Sequence, residues 1–415
     1  MATYPFRMRI VLVAAIGLTL GLSACASSSP SAPPADASPV ASASPSPTTD
    51  HSAHATASAP APTVPLRASE RFLTVGVADS LPGGVYAPSA PAGGTDDYRC
   101  FLADPALAAS GFVTGVQFLP GNAAIVHHSI LFRVDPDQVA AAEQKDAADP
   151  APGWQCFGGP GLPSTSSNPL DGLDAAPWLA GWAPGGKESV FAAGTGVPLA
   201  AGSRIVIQMH YNLRQVGAAK VEDNTHVRLR VSTDAKLVPL RTMLLPGPVE
   251  LPCPAGVTGA LCDRTNAVND VVNRFGPGAS RTVAGLQLLC GGSFEHPKSG
   301  ATQSCTRYLR EDVTVRAAAG HMHLLGKTIH IEANAGTPRA RTILDIPVWD
   351  FDNQSAQPLA KPLSLKKGDT VTVTCTHDVT LRDKLPALAG TPPRYVVWGE
   401  GTTDEMCLGI LIVSG

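Results

Sequence analysis

The sequence predicts an all-β protein built as two antiparallel β-sandwiches. Three observations predict it. Short apolar runs rich in Val, Ile, Leu and Thr recur from about residue 70 to the C-terminus. Gly and Pro are abundant, at 40 and 38 residues, which suits a turn-rich chain. Long segments of helical 3.6 period are scarce, and the single helical candidate is the Ala-rich stretch Pro136–Ala148.

The elements follow in order. Before the break near Ser232 the expected strands are Arg71–Val77, Gly111–Phe118, Ala124–Arg133, Ser189–Ala193, Arg204–Leu213 and His226–Val231. After it come Arg241–Leu245, Thr282–Leu289, Asp312–Ala318, Leu325–Ala333, Thr342–Val348, Thr370–Cys375, Tyr395–Gly399 and Cys407–Val413. Each run has β-branched or aliphatic residues between Gly, Pro, Asn or Asp. The break divides the folded part into residues 67–235 and 236–415.

Two further segments precede it. Residues 1–24 read as a lipoprotein signal peptide. Arg7 and Arg9 give a positive start, and Ile10–Leu22 is an apolar stretch too short to span a membrane comfortably. Leu22-Ser23-Ala24-Cys25 resembles a bacterial lipobox, which makes Cys25 the expected lipidated residue. The expected location is the extracytoplasmic face of a bacterial membrane, with the chain held there by the acyl chains. Residues 25–66 are dominated by Ser, Pro and Ala and cannot bury enough surface to fold, so they read as a disordered tether. At about 3 Å per residue such a tether reaches on the order of 100 Å. Its histidines, His51 and His54, read as solvated linker residues.

Charged residues make up 16% of the chain and the net charge is −3, and nothing in this composition resembles a basic nucleic-acid surface. No phosphate loop, dinucleotide fingerprint or nucleophile elbow occurs. The chain has nine cysteines. Setting Cys25 aside leaves an even number, which in an exported chain suggests disulfides.

The chemistry concentrates in histidines. In a strand, residues two apart share a face, so His321 and His323 would project together while Met322 points into the core. Such a pair suits one metal ion, copper or zinc. His127 and His128 are adjacent and would face opposite sides unless the strand bulges there. A third imidazole, His210, shares its face with Gln208 on another strand. Met406 is one of four methionines beyond residue 66. A thioether beside imidazoles is a poor zinc ligand and a good Cu(I) ligand.

At these residues the span from about 70 to 415 resembles the copper type II, ascorbate-dependent monooxygenases. The matching segments come in order: HHSILF, WAPGG, GTGVPL, QMHYN, HMHLLGK, the segment from Trp349 to Gln354, KKGDTVTVTC and DEMC. The resemblance implies two jelly-roll-like sandwiches facing each other across a wet cleft. It implies two copper ions. His127, His128 and His210 would hold the first, which stores an electron, with Gln208 supporting them. His321, His323 and Met406 would form the catalytic second site, where O₂ meets a substrate C–H bond. Ascorbate or another small reductant would supply electrons, and the substrate would be a small organic molecule.

The resemblance also implies disulfides Cys100–Cys156 and Cys375–Cys407. For the unmatched region, local pairs Cys253–Cys262 and Cys290–Cys305 are expected. The chain departs from the peptide-amidating members at three places. Ala319 stands where those enzymes carry an Arg that clamps a peptide carboxylate, and Leu408 and Ile410 replace an Asn and a Tyr. Amidation of glycine-extended peptides is therefore not expected. Two other readings compete: a non-catalytic copper-storage lipoprotein, and a zinc hydrolase or hydratase at the His321–His323 pair.

Overall fold

Strict alternation builds the sheets. Thr370–His377 buries every second residue, and Val371, Val373 and Cys375 are fully buried. Its β-branched residues fit the pleat on both faces. The protein is seen as a computed structural model that describes residues 64–415, except 91–94, 164–165, 167, 169 and 218. The expected signal peptide, Cys25 and almost the whole tether lie outside the described residues. The described residues belong to one compact unit. No helix among them is long and apolar enough to cross a membrane.

The structure is mostly β, with several antiparallel sheets and few helices. Among the described residues before Leu240 there are two sheets. The first orders Glu70–Gly76, His226–Ser232, Gly111–Leu119, Thr195–Leu199 and Val238–Pro239, with Ser189–Val190 beside Gly111–Leu119. The second orders Trp154–Gln155, Asp96–Ala103, Arg204–Asn212, Val126–Val134 and Trp178–Trp182. One core lies between them, with Val113, Val116 and Leu229 from the first and Leu131, Ile205 and Ile207 from the second.

After Leu240 the pattern repeats. Arg241–Pro246, Leu408–Ser414, Val313–His321 and Gln357–Leu365 form one four-stranded sheet. Thr302–Tyr308, Thr370–His377, Gly326–Ala333 and Arg341–Ile346 form another. Val315, Leu411 and Val413 meet Ile329, Ile331 and Val373 in their shared core. A short pair, Glu250–Leu251 with Val396–Val397, lies apart. Every sheet of the described residues draws its strands from one side of Leu240, and a single isolated bridge, Ala176 to Thr242, crosses over.

The expected helix is present as Val139–Ala148, entered through a 3-10 turn at Pro136–Gln138. One expected strand is not a strand: Thr282–Leu289 lies in the helix Gly278–Leu289. Its run Thr-Val-Ala-Gly-Leu-Gln-Leu-Leu is a short apolar stretch whose period does not separate helix from strand. Packing decides, with Val283, Leu286 and Gln287 buried on one helical face. A second helix, Arg264–Phe275, was not expected either. Asp263 caps it by accepting the Asn266 N–H, and Ala267, Val268 and Val271 are buried. Three sizeable strands, Asp96–Ala103, Thr302–Tyr308 and Gln357–Leu365, arise outside the expected runs. Asp96–Ala103 begins with two acidic residues and carries no apolar alternation.

Candidate metal centre

A bulge makes the first histidine cluster possible. Val126–Val134 pairs with Arg204–Asn212, and the register slips between Val126 and His128. Val126 lies opposite Tyr211, and His128 lies opposite His210. His127 is the extra residue, so two adjacent imidazoles reach one place. Met209 points into the core while His210 points the other way. One ligand-capable atom each from His127, His128 and His210 lies within 4.8 Å of the others. His127 Nδ1 and His210 Nδ1 are 3.3 Å apart.

His210 is held from two sides. Its Nε2 lies 2.7 Å from Asp96 Oδ1. Burial alone would raise the Asp96 carboxyl, but the His210 hydrogen bond and charge prevail and hold it down to about 2. Asp96 also accepts the Thr402 hydroxyl at 3.2 Å. The Tyr98 ring stacks on His210 with centroids 4.0 Å apart, and the Tyr98 hydroxyl donates to the Glu400 carbonyl. A carboxylate on the far nitrogen fixes the tautomer of a ligand histidine. Gln208 lines the same space, with its amide nitrogen 3.4 Å from Cys156 Sγ.

The second cluster starts where a strand stops. His321 is the last residue of Val313–His321, and His323 lies in the turn before Gly326–Ala333. The two rings are 5.2 Å apart and nearly perpendicular. Met322 is fully buried in the core, as alternation requires. The Nδ1 atom of His321 lies 2.6 Å from Gln354 Oε1. His323 Nδ1 lies 3.3 Å from the Asp404 carbonyl. Both contacts use Nδ1, which leaves Nε2 as the ligand-capable nitrogen. Met406 is 7% exposed and lines the same cavity as both histidines.

Glu405 organises this second cluster. It is fully buried. It accepts the backbone N–H of His323 at 3.0 Å, of Leu325 at 2.5 Å and of Met406 at 3.2 Å. His377 faces the same carboxylate at 3.3 Å and also reaches the Met406 carbonyl at 3.2 Å. Burial disfavours both charges, but the pairing lowers Glu405 and raises His377.

The two clusters, expected to face each other across a wet cleft, approach closely. The His128 and His321 ring centroids are 5.7 Å apart. Phe351 lies 5.3 Å from both His127 and His128. Burial, helped by neighbouring imidazoles, depresses His128 far below the usual range and His321 to about 4. His323 is depressed by burial as well. Neutral imidazoles offer lone pairs to a metal. His128 Nε2 is a buried polar atom with no hydrogen-bond partner among the described residues, and a bound ion would satisfy it. The donor types, imidazoles with a thioether in the cavity that His321 and His323 line, suit copper better than zinc.

Four disulfides are formed among the described residues: Cys100–Cys156, Cys253–Cys262, Cys290–Cys305 and Cys375–Cys407. The last ties the strand Thr370–His377 to the residue after Met406. The other histidines stay outside both clusters. His226 and His330 are near-surface partners of Asp79 and Asp345, and His296 lies in a loop.

Comparison with known proteins bears on the segment that contains the second cluster. Residues 293–412 match the family model described as copper type II ascorbate-dependent monooxygenase, C-terminal domain. This segment belongs to that family. It holds His321, His323, Gln354, Glu405 and Met406 and covers under a third of the chain. His127, His128 and His210 lie outside the matched monooxygenase domain. No curated protein matches the chain. Among solved structures the chain is similar to an allantoicase at 12% identity, over 80% of this chain and 90% of that one, with a TM-score of 0.16. A Paenibacillus xanthan lyase shows 10% identity over 79% and 24%, with a TM-score of 0.17. Allantoicase from Saccharomyces cerevisiae shows 10% over 80% and 81%, with a TM-score of 0.16. At such scores these likenesses carry no argument.

Proposed function

We propose that the protein is a copper-dependent monooxygenase that hydroxylates a C–H bond of an organic substrate. One oxygen atom of O₂ would enter the C–H bond and the other would leave as water, with two electrons and two protons from an external donor such as ascorbate. His127, His128 and His210 would hold one copper, and His321, His323 and Met406 the other. Copper there would supply one-electron redox change and O₂ activation. The observation that carries this reading is the His321–His323 pair, which shares its cavity with Met406 inside a segment of the monooxygenase family.

The chain's own residues do the rest. Asp96 and Gln354 orient His210 and His321. Glu405 fixes the turn that presents His323. The cavity wall beside His321 holds the substrate and limits water. The two sheet pairs are read as jelly-roll-like sandwiches, and Cys25 as a lipid anchor on the extracytoplasmic face of a bacterial membrane.

The test is oxygen uptake by the copper-loaded chain with ascorbate and a substrate panel, followed by mass spectrometry under ¹⁸O₂. Product carrying one ¹⁸O atom is expected. Label arriving from water would overturn the mechanism. Copper reoxidation with no product across the panel would point to storage instead.

A further inference from the structure

A cavity of about 830 Å³ opens beside the second cluster. Its shape follows from strand register. On one wall, Pro246 pairs with Leu408, Leu244 with Ile410 and Thr242 with Ile412. His321 lies opposite Leu408, and Ala319 lies opposite Ile410. All of these residues line the cavity. They form successive rows that lead away from the histidines. From the Leu408 row to the Ile412 row is four residues, or about 13 Å at the usual strand rise.

The facing wall comes from the sheet that carries His128 and His210, through Ile130, Trp178 and Trp182. The helix Gly278–Leu289 borders the space with Thr282, Gly285, Leu286 and Leu289, a stripe at i, i+3, i+4 and i+7. The lining is mostly apolar, interrupted by the ligand-candidate histidines and by Tyr98, Gln208, Gln354 and Glu400. It contains no Arg, and its one Lys, Lys187, is exposed at the rim. No buried cation waits for a carboxylate. Ala319, Leu408 and Ile410 instead put hydrocarbon next to His321.

We propose that this cavity binds an uncharged, elongated, hydrocarbon-rich substrate, which lies along the strand rows with one end at His321 and His323. A pocket of this size and composition suits a molecule of drug size whose binding comes from apolar burial. The proposal rests on the monooxygenase reading for what happens to the substrate, but not for its binding.

Gly285 offers a clean probe. A Cβ added there would meet nothing within 4 Å, and replacing a helical glycine favours the helix. Titration of the full chain with N-phenyl-1-naphthylamine, a neutral apolar fluorophore, is expected to show saturable binding with or without copper. The anionic 8-anilinonaphthalene-1-sulfonate is expected to bind at least tenfold more weakly. Gly285→Trp should weaken the neutral probe at least tenfold, and Leu289→Asp should do the same by bringing a charge to the wall. Circular dichroism and copper content would report whether each variant keeps its fold and its metal sites. Loss of binding in either folded variant supports the proposal. Absence of saturable binding, equal affinity for the sulfonate, or unchanged binding in both variants overturns it. None of these results depends on oxygen chemistry, so the proposal can fail while the monooxygenase reading stands.

Discussion

Glu405 accepts the backbone N–H of His323 at 3.0 Å, and with its other oxygen that of Leu325 at 2.5 Å. A buried carboxylate thus closes the turn that carries one histidine of the second cluster, and it sits directly before Met406. Glu405→Ala would strip partners from buried N–H groups and leave His377 uncompensated in the core. Removing one partner of such a buried pair costs about 3–5 kcal/mol. Glu405→Gln keeps the shape and should cost less. Denaturant unfolding of the metal-free protein checks this, and a Glu405→Ala variant within 1 kcal/mol of wild type, a difference too small for a buried pair, would refute the role.

Asp96 does for the first cluster what Gln354 does for the second. Asp96→Ala removes the acceptor from His210 Nε2. The imidazole could then rotate or change tautomer. Loss of such a partner typically costs about 10–100-fold in metal affinity. Competition titration with a copper chelator should show that loss at the three-histidine site alone. An equal loss at both sites would mean that Asp96 acts on the whole fold.

Met406 separates the two sites chemically. In Met406→Ala the three-histidine cluster should still take copper, while copper-dependent oxygen uptake falls sharply. X-ray absorption should lose its sulfur contribution at copper. Retention of that contribution would remove Met406 from the proposed ligand set.

Glu400 lines the cavity, and burial, aided by the nearby Asp404 carboxylate, pushes it up to about 7. The folded state therefore holds a proton that the unfolded chain releases near 4.5. This contribution to stability is complete below about 4.5 and is lost as pH rises to about 7. Melting temperatures across pH 4 to 8, a range chosen to bracket both values, should fall less steeply in Glu400→Gln. Binding of a neutral probe should likewise weaken above about pH 7 in the wild type only. Parallel curves for the two proteins would exclude this role for Glu400.

The sequence showed some of this directly. Alternation placed His210 opposite in face to Met209, put Met322 in the core, and outlined Thr370–Cys375 and Cys407–Val413. It failed where period is ambiguous. Thr282–Leu289 is too short to reveal its helix, and the helix then forms one border of the cavity. Asp96–Ala103 was hidden because its first residues are acidic, yet it supplies both Asp96 and Tyr98 to His210. Gln354 stood in a matched segment with no role attached until it met His321.

Local chemistry in the chain outlined most of the strand runs, the paired histidines, the candidate thioether of Met406 and, with Cys25 set aside, an even set of cysteines, because each depends on neighbours within a few residues. Tertiary structure alone decided that His127 bulges to join His128, that Asp96 reaches a histidine 114 positions away, and that the His128 and His321 rings come within 5.7 Å. Those contacts depend on strand register and sheet packing between distant segments, and local periodicity carries no record of which segments meet.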